Sequence, residues 1–65
     1  MDRAYLKYTL EKHGISREDL IKAEGWSPTT YSRKVVNGES DWLISEVLTL
    51  GQLGIPFGDV REIFF

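Results

Sequence analysis

Few side chains in this chain could carry out covalent or metal chemistry. There is one histidine, His13, and no cysteine, so disulfides and thiolate metal sites are excluded. No HExxH or similar spacing lets carboxylates complete a metal set around His13, and no catalytic constellation of nucleophile and base stands out. The sequence therefore predicts no metal, no cofactor, no small-molecule ligand and no enzyme. His13 reads as a last-turn helix residue that complements the helix dipole. The side chains with a clearer chemical use are cationic. Arg33 and Lys34 lie in the stretch 27–38, which holds no acid, although the whole chain sets 8 Lys and Arg against 10 Asp and Glu for a net charge of −2. Residues 1–38 carry seven bases and five acids, for +2, and residues 39–65 carry one base and five acids, for −4. A local basic window on an acidic chain fits a polyanion-binding face of small footprint.

The elements that must position these side chains are helical. Gly14, Gly25, Gly38 and Gly54 fall where helical spacing stops, and no alternating strand pattern or hairpin signal competes with it. A first helix is predicted over about 2–13, with Leu6 and Leu10 on its apolar stripe. A second starts at Ser16, with Asp19 three residues on as the capping-box acid and Ile15 able to staple to Leu20, and stops at Gly25. A third runs over about 27–36. Ser27 caps it, Pro28 takes its first position, Trp26 can staple to Tyr31, and Asn37-Gly38 stops it. The tight Gly25-Trp26-Ser27 connection between two short helices is a helix-turn-helix signature. A fourth helix is predicted over about 41–53, capped by Ser40 or Asp41, with Trp42, Ile44, Val47, Leu48 and Ile55 as its apolar positions. Gly51 inside it points to a neighbouring helix packed close. A fifth, over about 57–64, follows Pro56. Trp26 and Trp42 read as core aromatics.

Sixty-five residues with 42% hydrophobic and 28% charged content make one globular domain, 1–65, rather than a disordered chain. No apolar run approaches the ~18 residues that cross a bilayer, and the N-terminus lacks a signal-peptide pattern. A cytoplasmic protein with no membrane partner is expected.

The order of these pieces resembles the phage-repressor type of helix-turn-helix domain, Cro-like or XRE-like, across nearly the whole chain. The residues that carry the resemblance are Leu6, Leu10, Gly14, Ile15-Ser16, Leu20, Gly25, Ser27, Thr30 to Lys34, Asn37-Gly38, Ser45-Glu46-Val47 and Ile63-Phe64-Phe65. The last three match the Ile-Phe-Phe tail of very small phage-encoded regulators. Arg17 stands where the family usually has Gln, Ile21 where it has Ala, and Glu24 where it has an apolar residue. The third helix is one residue longer before Asn37-Gly38. The resemblance implies an all-α bundle of about five short helices with a lambda-repressor-like fold. It also implies a sequence-specific DNA-binding transcriptional regulator of phage or prophage origin, working in the bacterial cytoplasm.

With the helix 27–36 in a major groove, Tyr31 and Val35 belong to the buried face. Pro28, Thr29, Ser32 and Arg33 then point outward as base contacts. Arg33 is the best base reader, because a guanidinium pairs bidentately with guanine O6 and N7. Arg17, Thr30, Lys34 and Asn37 are the expected phosphate contacts, with Arg3 and Lys7 as outer ones. Arg17 in a first helical turn opposes the helix dipole, which favours a phosphate partner. The expected partner is double-stranded DNA, an inverted-repeat operator bound by a homodimer. Its pairing face would be Val60, Ile63, Phe64 and Phe65 with Leu50 or Leu53, unless the phenylalanines fold back on their own core. Other readings are a helix-turn-helix domain turned to protein contact, as an inhibitor or antirepressor of another regulator, and a structural or virion-assembly module.

Overall fold

Three helices begin where a short polar side chain can take up a free backbone N–H. In the computed structural model, which describes residues 1–65, Asp2 accepts from the Tyr5 N–H at 3.0 Å and opens α1, Arg3–Lys12. Ser16 opens α2, Arg17–Glu24, with the reciprocal pair the sequence predicts. Its Oγ accepts from the Asp19 N–H and Asp19 Oδ2 accepts from the Ser16 N–H, both at 3.1 Å. Ser27 opens α3, Pro28–Tyr31. Two further helices, α4 (Ile44–Gln52) and α5 (Phe57–Phe64), complete an all-helical chain.

The ends of α1, α2 and α4 are alike. A left-handed glycine turns the chain, and the next N–H reaches back five residues: Ile15 to Leu10 O at 2.9 Å, Trp26 to Ile21 O at 3.1 Å, Ile55 to Leu50 O at 3.2 Å. Each closure delivers an apolar residue toward a core built from Leu6, Leu10, Leu20, Val35, Leu50, Ile55, Val60 and Ile63. The first and last helices are tied together by polar bonds at that core's edge. The Asp2 N–H donates to Ile63 O at 2.8 Å, and the Tyr5 hydroxyl donates to Asp59 Oδ1 at 2.9 Å. His13, at the end of α1, has its Nε2 3.5 Å from Asp59 Oδ2. The Tyr5 hydroxyl is the main reason the Asp59 carboxyl titrates below its ordinary range.

The span 27–36 is helical as expected, but not uniformly α. Beyond Tyr31 the chain continues without a break into a π-helical segment, Ser32–Val36, where the Asn37 N–H reaches Ser32 O at 2.9 Å. One residue more than an α-helix holds lies between two fixed ends, the Ser27 cap and the turn at Gly38. A π turn absorbs such an insertion while leaving Val35 buried and Val36 outside.

Several expectations are corrected here. The fourth helix starts at Ile44, not near Asp41, and neither Ser40 nor Asp41 caps it. The cap is the Glu46 carboxylate, which accepts from the Leu43 N–H at 2.7 Å. Trp42 therefore precedes the helix, and its ring lies edge-on between Trp26 and Phe64, with centroids 5.0 and 5.1 Å away. Ile44 and Leu48 are exposed rather than core positions. No neighbour packs close at Gly51, where an added Cβ would meet nothing within 4 Å. Of the expected pairing residues, Leu50, Val60 and Ile63 are core, Leu53 is half-buried, Phe64 folds back onto Trp42 as the alternative has it, and Phe65 is exposed.

Two glycines give opposite expectations for stability. Gly51→Ala should raise stability by up to about 1 kcal/mol, because glycine is the poorer helix former and the space is open. Gly38→Ala should lower it by about 1 kcal/mol or more, since φ there is +66° and the new Cβ would sit 2.6 Å from Arg3 Cδ. Denaturant unfolding followed by far-UV circular dichroism measures both. A loss of stability in Gly51→Ala would show that this helix face is covered.

Candidate nucleic-acid interface

The turn between α2 and α3 is held from both sides by its own residues. Gly25 ends α2, and Ser27 Oγ takes the Thr30 N–H at 3.2 Å and lies 3.1 Å from Thr30 Oγ1. This fixes where the first turn of α3 projects. Pro28, Thr29, Arg33 and Asn37 are exposed along one edge, while Thr30 and Ser32 are half-buried. The Thr30 hydroxyl is thus engaged inside the cap.

A second set of cations comes from the other helices. The Arg17 guanidinium stands 5.6 Å from the Tyr31 ring centroid, so the start of α2 lies against α3. Its contact with Glu18, 3.6 Å on an open surface, holds it weakly. Arg3 Nη1 donates to Val36 O at 2.8 Å, joining α1 to the end of the π segment. Between α1 and the α3–π helix runs a groove of about 320 Å³, lined by Arg3, Lys7, Arg17, Tyr31 and Val36 among others, with Glu11 as its one acid. Arg3 and Lys7 are outer contacts in the sequence reading. Folding puts both in the same groove as Arg17, and their spacing of four on one helix is the signal for it.

Lys34 is the site residue whose expected role changes most. Its side chain is only 13% exposed, and its Nζ donates to Glu46 Oε1 and to Asp41 O, both at 2.8 Å. The ammonium also lies 5.9 Å from the Trp26 ring centroid. It is turned into the protein, and a phosphate could reach it only by competing with a buried carboxylate. Folding thus places Lys34 in an internal brace, where the sequence reading has it as a phosphate contact. The π segment helps to explain this, since its slower rotation per residue changes which side chains face inward after Ser32.

Glu46 is the hub of that brace, and the sequence gives it no such role. Besides Lys34 and the Leu43 N–H, it accepts from Trp26 Nε1 at 2.7 Å. Burial alone would raise its pKa. The hydrogen bonds from Lys34, Leu43 and Trp26 outweigh burial and hold it below its ordinary value. Nearby Glu24, the last residue of α2, has the opposite fate. Burial first, and the Glu46 charge second, push its pKa from 4.5 to about 7. Its Oε2 is buried without a partner, and the Thr49 hydroxyl, which opposes the rise, donates to Ser45 O at 3.0 Å.

No three His, Asp or Glu side chains converge to hold a metal ion, and no helix is long and apolar enough to cross a membrane. No family model, curated protein or solved structure matches the chain, and its functional reading rests on its own geometry.

Glu24 sets a pH dependence of stability. An acid whose folded pKa is raised binds its proton more tightly in the native state, so its contribution worsens as pH climbs from about 4.5 to about 7 and is constant above. Glu24→Gln removes this cost. Thermal melts should show the variant gaining over the parent at pH 8 and gaining little at pH 4.5. Equal gains at both values would mean that Glu24 is ionised without penalty in the native protein.

Proposed function

We propose that this protein is a sequence-specific double-stranded DNA binder, a Cro-like transcriptional regulator of phage or prophage type, whose helix 27–36 enters the major groove. One observation carries the reading. Arg33 stands exposed on the helix that follows a capped three-residue turn, and Arg3, Lys7 and Arg17 gather in the groove beside that helix, on a chain whose net charge is negative. The cations are thus concentrated around the one helix that is framed for insertion.

The roles divide by chemistry. Arg33 reads guanine through O6 and N7, Thr29 meets a thymine methyl or a base edge, and Pro28 contributes van der Waals contact. Ser32, half-buried, reaches a base edge only where the helix is seated deeply. Arg17, Arg3, Lys7 and Asn37 meet phosphates and set the register of the helix. Thr30 and Lys34 keep the reader in shape. A single short helix spans half a site, so the fitting target is an inverted repeat occupied by two copies. A helix-turn-helix domain turned to protein contact is the second reading. It is favoured by the acidic half at 39–65 and by the apolar side chains exposed on α4 and α5.

Titrating an inverted-repeat duplex and a random duplex over several salt concentrations tests the proposal. Affinity should fall steeply with salt, because each phosphate contact releases counterions. Arg33→Ala should cost about 1–3 kcal/mol on the specific site and relax preference at one base pair, and Arg17→Ala should reduce the salt slope by about one on every sequence. Lys34→Ala should act differently. It should lower folding stability by about 3 kcal/mol, by leaving the Glu46 charge buried with a partner removed. Affinity that does not vary with salt would exclude DNA as the target.

A further inference from the structure

The π segment does more than absorb an extra residue, because it also sets the direction of the side chain that follows it, Asn37. The Asn37 N–H donates to Ser32 O at 2.9 Å, and its backbone keeps helical angles, φ −94° and ψ −24°. The chain leaves the helix only at Gly38, where φ is +66°. The Glu39 N–H then closes back on Arg33 O at 2.8 Å. From the other side, Arg3 donates to Val36 O at 2.8 Å and lies across Gly38. Asn37 is thus the last helical residue, held in place from two directions, and not the first residue of a loop.

Its position around the helix follows from the two kinds of turn. In an α-helix a step of four residues overshoots one turn by about 40°. In a π-helix, which bonds i to i+5 and holds more residues per turn, the same step falls short of one turn. The step from Thr29 to Arg33 begins in α-helix, and the step from Arg33 to Asn37 lies in the π segment and its cap, so the two deviations oppose each other. Thr29, Arg33 and Asn37 therefore line up along one exposed edge, while Val35 is buried on the far side and Lys34 is turned inward. A wholly α-helical course would carry Asn37 about 80° around the axis from Thr29.

We infer that Asn37 reads a base, adenine, from the same edge as Thr29 and Arg33. The inference rests on the DNA reading of helix 27–36, and it replaces with a specific role the backbone contact that a helix end suggests for Asn37. An uncharged carboxamide releases no counterion at a phosphate. Its acceptor and donor do match the N6–H and N7 of adenine, which a side chain in the major groove meets together. Four residues separate Arg33 from Asn37, roughly 6 Å along a helix axis, or about two base steps of about 3.4 Å. The edge thus offers a guanine reader and an adenine reader within one half-site, with Thr29 at its other end.

Selection of sites from a random duplex library, followed by titration at several salt concentrations, tests the inference on the full chain. The parent should select a half-site with an adenine about two base pairs from the guanine whose preference Arg33→Ala relaxes. Asn37→Ala should lose the preference at that adenine and weaken the selected duplex about tenfold, leaving random duplex and the salt slope unchanged. Asn37→Lys, which would strengthen a phosphate contact, should lose the same preference. Both variants change an exposed side chain, and far-UV circular dichroism checks that each is folded. An unchanged consensus in Asn37→Ala, or equal weakening of selected and random duplexes, would overturn the inference and leave the DNA reading standing. So would an Asn37→Lys variant that keeps the adenine and steepens the salt slope. A parent that selects no site overturns the DNA reading, and this inference with it.

Discussion

A single buried carboxylate holds together the parts of this protein that local sequence cannot join. Glu46 accepts hydrogen bonds from Trp26 in the helix-turn-helix connection, from Lys34 in the π segment and from the Leu43 backbone at the start of α4. Lys34 extends the same network to the Asp41 carbonyl. The turn before α3, the π segment and the start of α4 therefore share one charge. A lone buried carboxylate would be expensive, and it is tolerable here because each hydrogen bond falls on the charged form. The cost of burying the pair is offset only while both partners stay in place, which makes the geometry of the turn specific as well as stable.

The consequence reaches the helix over 27–36 directly. With Lys34 drawn inward and Val35 in the core, the last turn of that helix cannot remain α and still meet the Asn37-Gly38 stop. It widens to a π turn, and Arg33 is left as the exposed cation on that segment. Trp42 stacks behind, donating from its Nε1 to Lys34 O at 3.3 Å, and so supports the widened segment from its inner side. The brace also strains its neighbour. Glu24 sits close enough to feel the Glu46 charge but outside its hydrogen bonds, so one carboxylate is stabilised and the next is penalised by the same burial.

A domain of 65 residues has little interior to spend, and its surface reflects that. Eight apolar side chains form the core, while several larger ones ring it half-buried or stand fully outside on α4 and α5. The two exposed faces differ in kind. One is cationic and lies along α1, α2 and α3. The other is apolar and uncharged, and lies on α4 and α5. The two faces share no residues.

Local rules fixed much of this in the sequence itself. Ser16 with Asp19, Ser27 with Pro28, and the glycines at 14, 25 and 54 mark helix ends because each acts on a backbone group within five residues of itself. Those boundaries are legible without any knowledge of packing. The spacing of Leu6, Leu10 and Leu20 shows the core faces for the same reason. The outward placement of Pro28 and Thr29 follows from an α-helical first turn, which the sequence also specifies. What it could not show depends on partners distant in the chain. Lys34 looks like a free surface cation until Glu46, twelve residues on, folds against it. The start of α4 is a local exception: Glu46 caps Leu43 from three residues away, a short-range bond that a start at Asp41 overlooks. The gathering of Arg3, Lys7 and Arg17 into one groove, and the emergence of an apolar face at Ile44, Leu48 and Phe57, arise only when α1 and α4 take their angles to the other helices. Helix ends are decided by short-range hydrogen bonds, whereas the fate of a charge or an exposed ring is decided by whatever tertiary packing brings beside it.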